Sequence, residues 1–80
     1  RENRLLFVSL VDELRRDHRI TIIPASEDNF RLGVERFGQR LDKEWLLTDC
    51  ISFVVMEQHS LTDALTTDHH FAQAGFKVLL

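Results

Sequence analysis

Cysteine occurs once in the 80 residues, at Cys50, which excludes an internal disulfide and fits a reducing cytoplasm. Proline also occurs once and glycine three times; neither gathers into a linker, and there is no internal repeat or low-complexity stretch. Apolar runs are short. The longest are four-residue stretches such as Phe53 to Met56, far below the roughly 20 residues that a membrane-crossing helix requires. No segment reads as a signal peptide. A basic excess is missing as well, since ten Lys and Arg against thirteen Asp and Glu leave a formal charge of -3 and a pI near 5.7. Phosphate neutralisation alone therefore gives no route to nucleic-acid binding. Any such role has to come from a site.

What is present is the composition of a folded chain, with 44% hydrophobic and 29% charged residues, enough for one small domain of modest stability. Leu6, Leu10, Val11 and Leu14, with Asp12, Glu13, Arg15 and Arg16 interleaved, predict an amphipathic helix over 3–17. Arg15, Arg16, His18 and Arg19 gather at its carboxyl end, where cations offset the helix dipole; an RNA-facing patch is a second use for the same charges. Ile20 to Ile23 is β-branched and ended by Pro24, so it reads as a strand, and being apolar on both faces it suits a sheet covered on both sides.

Ser26 is placed to cap a second helix, with Glu27 and Asp28 in its first turn and Phe30, Val34, Phe37 and Leu41 at helical spacing. Gly33 falls inside it and Gly38 near its end. Thr48 offers the cap of a third helix running to about His59, with Ile51, Val54 and Val55 as its buried stripe. A strand over Ala64 to Thr66, a helical turn from Phe71 to a stop at Gly75, and a last strand from Lys77 to Leu80 complete the chain. Alternation of this kind predicts an α/β layered domain with a parallel sheet.

That topology carries a geometric consequence for two acids. A crossover helix runs antiparallel to its strands, so Asp49, at the start of such a helix, lies at the carboxyl edge of the sheet. Asp68 directly follows a strand and reaches the same edge, where open α/β sheets place their sites. Two carboxylates facing one pocket suit a hard cation such as Mg²⁺ or Mn²⁺, which can orient a phosphodiester and stabilise the charge that develops on phosphorus. Each acid also has a plainer use: Asp49 compensates a helix dipole, Asp68 forms a turn, and spacing alone favours these. Asp63 alternates away from the face that carries the site. Thr66 and Thr67 either orient Asp68 or serve as β-branched strand residues.

His18, His59, His69 and His70 match no zinc spacing, and one cysteine supplies no soft-ligand set. His69 and His70 lie beside Asp68, within reach of a phosphate or simply in a solvated turn. Cys50, in the first turn of an amphipathic helix, reads as a small core residue rather than a nucleophile. Trp45 reads as a plug over the start of the third helix.

Taken together, WLLTDCISFVVM and LTDALTTDHHFAQAGFKVLL resemble the C-terminal half of PIN domains, particularly prokaryotic ones of the VapC toxin type. The stretches TDC-x-SF and T-x-D-x-HF-x-x-AGF carry the likeness, which extends more weakly back through Leu5 to Ala25. The resemblance implies a three-layer α/β fold with a parallel sheet and a metal-dependent ribonuclease. It assigns Asp49 and Asp68 as metal ligands and catalytic acids for Mg²⁺ or Mn²⁺; Thr66 and Asp63 stand beside them on the strength of their strand positions alone. The partners it implies are an RNA substrate, an antitoxin protein and a second copy of the chain, in the cytoplasm. The alternative is an inactive interaction module for nucleic acid or protein. The family's remaining acids, an Asp ending the first strand and a Glu on an early helix, would lie upstream of Arg1. Residues 1–80 are thus expected to form the C-terminal portion of one PIN-like domain and to be a poor nuclease alone.

Overall fold

The structure, a computed structural model, describes residues 2–80. Its elements run α1 (Glu2–Arg16), α2 (Glu27–Gln39), α3 (Leu47–Gln58), β1 (Asp63–Ala64), α4 (His69–Gln73) and β2 (Lys77–Val78). Just over half the chain is helical. The expected three-layer α/β architecture is not what forms: among the described residues the sheet consists of two strands, β1 and β2, paired in parallel with Asp63 opposite Lys77 and Ala64 opposite Val78.

Ile20 to Ile23 accounts for much of the difference. The segment was expected to be a strand, yet it joins no ladder, and its three isoleucines remain 37 to 40% exposed. Residues of high β-propensity become a strand only where another strand supplies hydrogen-bond partners. None is offered here by the described residues. The strand expected over Ala64 to Thr66 forms instead at Asp63–Ala64, sharing only Ala64 with that reading, and the one expected from Lys77 to Leu80 shortens to Lys77–Val78.

The helix ends follow local chemistry. Ser26 caps α2 as its sequence predicts, its hydroxyl accepting the Asn29 backbone N–H at 3.1 Å. The helix stops at Gln39, short of Leu41. In α3 the cap is Leu46 rather than Thr48. Leu46 has no acceptor in its side chain, and Asp49, three residues on, takes the role by accepting the Leu46 N–H at 2.9 Å. At the other end, Leu61 N–H bonds to the Met56 carbonyl at 2.8 Å and Ser60 N–H to Glu57 at 3.1 Å, the paired bonds of a Schellman stop. Ser60 occupies its left-handed position, with φ of 55°. The same device ends α4, where Phe76 bonds to Phe71 and Gly75 to Ala72, and there glycine fills the left-handed position at φ of 99°.

The core is aromatic and lies between α3, α4 and the segment before α3. Phe53 is fully buried, with Trp45 edge-on at 5.1 Å between ring centroids and Phe71 edge-on at 4.9 Å, an arrangement that aligns ring edges with ring faces. Cys50, also fully buried, and Phe76 pack in the same cluster. Burial pushes the Cys50 thiol above its ordinary pKa, so Cys50 is the core residue its position implied. Trp45 is itself part of the core and is anchored at its polar end, its indole N–H donating to Gln73 Oε1 at 3.0 Å.

On the outer side, α2 lies against α3, and Gly33 is the buried residue at that contact. A Cβ there would run into the Ile51 side chain and would stand 3.2 Å from the Ile51 Cα. Glycine is what lets the two helices approach this closely. Arg36 bridges the same pair of helices, ion-paired with Glu57 and stacked 5.7 Å over the Phe53 ring.

Candidate metal centre

Asp49 and Asp68 each approach the same histidine, His70. The group whose ligand atoms all lie within 4.8 Å of one another is Asp68, His69 and His70, without Asp49. Asp49 belongs to the first turn of α3, fixed there by the bond its Oδ2 accepts from Leu46. Asp68 caps α4, its Oδ1 accepting the His70 backbone N–H at 2.9 Å, while its own N–H donates to the Thr66 hydroxyl at 3.1 Å. With Asp68 as the cap, His70 occupies the second helical position, and a side chain there leans back toward the helix start. Its Nδ1 lies 3.2 Å from Asp68 Oδ1 and 3.6 Å from Asp49 Oδ2. The three side chains are partly buried, at 14, 37 and 20% exposure for Asp49, Asp68 and His70.

Both plainer roles are therefore occupied, Asp49 as a capping acid and Asp68 as a helix cap. They do not use up the carboxylates. Among the described residues, no hydrogen bond reaches Asp49 Oδ1 or Asp68 Oδ2, and neither acid is paired with an arginine or lysine. Asp17, Glu35, Asp42 and Glu57 each are. The basic neighbour that Asp49 and Asp68 share is His70.

The Thr66 hydroxyl accepts the backbone N–H of Asp68 and does not reach its carboxylate. Asp63 is exposed on β1 and accepts the Thr62 hydroxyl at 3.3 Å, in keeping with the alternation that turns it away from the site. His69 stacks beside His70 with ring centroids 4.4 Å apart, and ligand atoms of Asp68, His69 and His70 all lie within 4.8 Å of one another. His70 is the member that sequence spacing underrates. The available signal was the Asp68 cap, which places residue 70 back over the helix start. Asp42, Lys43, Glu44 and Gln73 extend this corner into a surface groove of about 250 Å³ alongside the two histidines.

Family models, curated proteins and solved structures contain no match to the chain. Chemically, the corner offers one carboxylate and two imidazoles within 4.8 Å of one another, with Asp49 against His70, and the groove beside the histidines carries Asp42 and Glu44 as well as Lys43. No helix of the described residues is long and apolar enough to cross a membrane.

Proposed function

We propose that Asp49 and Asp68 hold a divalent cation, Mg²⁺ or Mn²⁺, and that the corner they form serves the hydrolysis of RNA phosphodiesters in the manner of PIN ribonucleases. The observation that carries the reading is the convergence of both carboxylates on His70 Nδ1, at 3.6 and 3.2 Å. The donor set fits the ion: carboxylate oxygens suit Mg²⁺ and Mn²⁺, and an imidazole nitrogen beside them is better suited to Mn²⁺. A cation bound there supplies Lewis-acid stabilisation of the charge that develops on a phosphodiester under attack. The chain's own residues do the positioning. Leu46 N–H holds the Asp49 carboxylate and the His70 N–H holds that of Asp68, while Thr66 fixes the Asp68 backbone.

With only two acids in the corner, we expect weak cleavage from these 80 residues alone. On this reading the protein acts in the cytoplasm as the toxin of a toxin–antitoxin pair, with RNA as substrate and an antitoxin as protein partner. A second reading, an inactive interaction module, draws on the apolar surface that Leu5, Leu6 and Phe7 expose on α1.

Calorimetry with Mn²⁺ on the wild type, Asp49→Asn and Asp68→Asn separates the two. Binding by the wild type that either substitution weakens at least tenfold supports the metal centre, and Mn²⁺-dependent cleavage of a single-stranded RNA, lost in the same variants, supports the nuclease. Equal behaviour of all three proteins would leave the acids as helix caps and overturn the reading.

A further inference from the structure

His69 and His70 occupy the first two positions of α4, and successive residues of a helix point about 100° apart around its axis. Their rings gather nevertheless, with centroids 4.4 Å apart and planes inclined by 48°. Asp68, the cap of the same helix, completes a group: its Oδ1 lies 3.2 Å from His70 Nδ1, and ligand atoms of all three residues lie within 4.8 Å of one another. Three consecutive ligands match no zinc spacing in the sequence. They converge because Asp68 turns back to cap the helix while side chains of the first turn lean toward its start. Two atoms bound to one ion at about 2.1 Å, in tetrahedral array, stand about 3.4 Å apart. The Asp68–His70 pair has nearly that spacing already. His69 is exposed, so its ring turns freely, and a movement of at most about 1.5 Å closes the group around an ion.

The donors decide which ion. One carboxylate with two imidazoles is a set that catalytic zinc sites use, and imidazole suits Zn²⁺, Cu²⁺ and Ni²⁺, whereas Mg²⁺ and Mn²⁺ favour carboxylate and water oxygens. The group is one of side chains and owes nothing to the end of α4, whose dipole opposes a cation. We infer that Asp68, His69 and His70 form a site for Zn²⁺ and ions of its class, distinct in ligands and in preference from the Asp49–Asp68 pair. Asp68 belongs to both sets, so Zn²⁺ on the histidines takes a carboxylate that Mn²⁺ needs, and the two ions exclude each other. Zinc thereby restrains the Mn²⁺ centre. That consequence rests on the function proposed above; zinc binding itself does not.

Calorimetry with Zn²⁺ on the whole 80-residue chain tests the site. The expected result is one ion per chain, with affinity lowered about tenfold or more in His69→Gln and in His70→Gln. His59→Gln, which replaces a histidine at the end of α3, should bind zinc like wild type. Because His69 is exposed, its replacement leaves the aromatic core intact. For the exclusion, Mn²⁺ is titrated into wild type held in Zn²⁺ at ten times the zinc dissociation constant. Its apparent dissociation constant should rise about elevenfold, and the same zinc concentration should have little effect on His69→Gln. A wild type that binds no zinc, or a His69→Gln variant that binds it equally well, would overturn the site. Mn²⁺ affinity indifferent to zinc would overturn the shared carboxylate. A chain that binds Zn²⁺ through His69 and His70 but no Mn²⁺ would overturn the proposed function and leave the zinc site standing.

Discussion

Gly33 and Gly38 lie five residues apart on α2, and alanine at each should move stability in opposite directions. In both cases Gly→Ala removes backbone freedom from the unfolded chain and gains up to about 1 kcal/mol of helix propensity. At Gly38 nothing lies within 4 Å of the added carbon, so that gain stands, reduced toward about 0.5 kcal/mol because the position is in the last turn. At Gly33 the methyl group meets the Ile51 side chain, and behind it the Ile51 Cα at 3.2 Å and backbone N at 3.3 Å. Ile51 is β-branched and sits in a helix, where essentially one χ1 rotamer is open to it. The side chain therefore cannot swing clear, and α2 must move away from α3. Overpacking of this kind costs about 1 to 3 kcal/mol, which leaves Gly33→Ala destabilised by up to about 2 kcal/mol after a propensity gain of about 1. Urea unfolding followed by the fluorescence of the buried Trp45 measures both variants, and thermal midpoints should shift by roughly 4 to 8 °C per kcal/mol for a domain of this size. If Gly33→Ala were stabilised as much as Gly38→Ala, the close approach of α2 to α3 would be refuted.

Two further predictions rest on single residues. Ser60 holds the left-handed position of the α3 stop at φ of 55°, so Ser60→Gly should raise stability by up to about 1 kcal/mol through relief of that conformation; an unchanged or lower urea midpoint would contradict the assigned turn. Asp42, held by Arg40 through two hydrogen bonds of 3.0 Å, has its pKa lowered from 3.8 to about 2 by that guanidinium. A depressed carboxylate contributes stability that is present above its unfolded pKa of 3.8 and is lost as pH falls toward about 2. NMR titration should show Asp42 ionising near 2 in the wild type and closer to 3.8 in Arg40→Ala, and an identical titration in both would remove Arg40 as the cause.

The sequence by itself determined the local features, because these depend on neighbours within a few residues. The amphipathic α1, the Ser26 cap, the glycine stop at Gly75 and the buried fate of Cys50 were all legible from residue type and spacing. Tertiary structure decided whatever needed a distant partner. Ile20 to Ile23 has the composition of a strand, but a strand exists only where another pairs with it, and the described residues offer none. The layered sheet inferred from alternation fails for that reason. Thr48 had the chemistry of a cap, yet the cap fell two residues earlier, where Asp49 could reach back to the Leu46 N–H. The meeting of Asp49 and Asp68 was argued from the edge of a broad parallel sheet; that sheet does not form, and what the structure shows is each acid approaching His70. The sequence set His70 beside Asp68 but left it undecided between the site and a solvated turn. Its role at the corner follows from the direction a side chain takes in the first turn of α4, which is known only once Asp68 is seen to cap that helix.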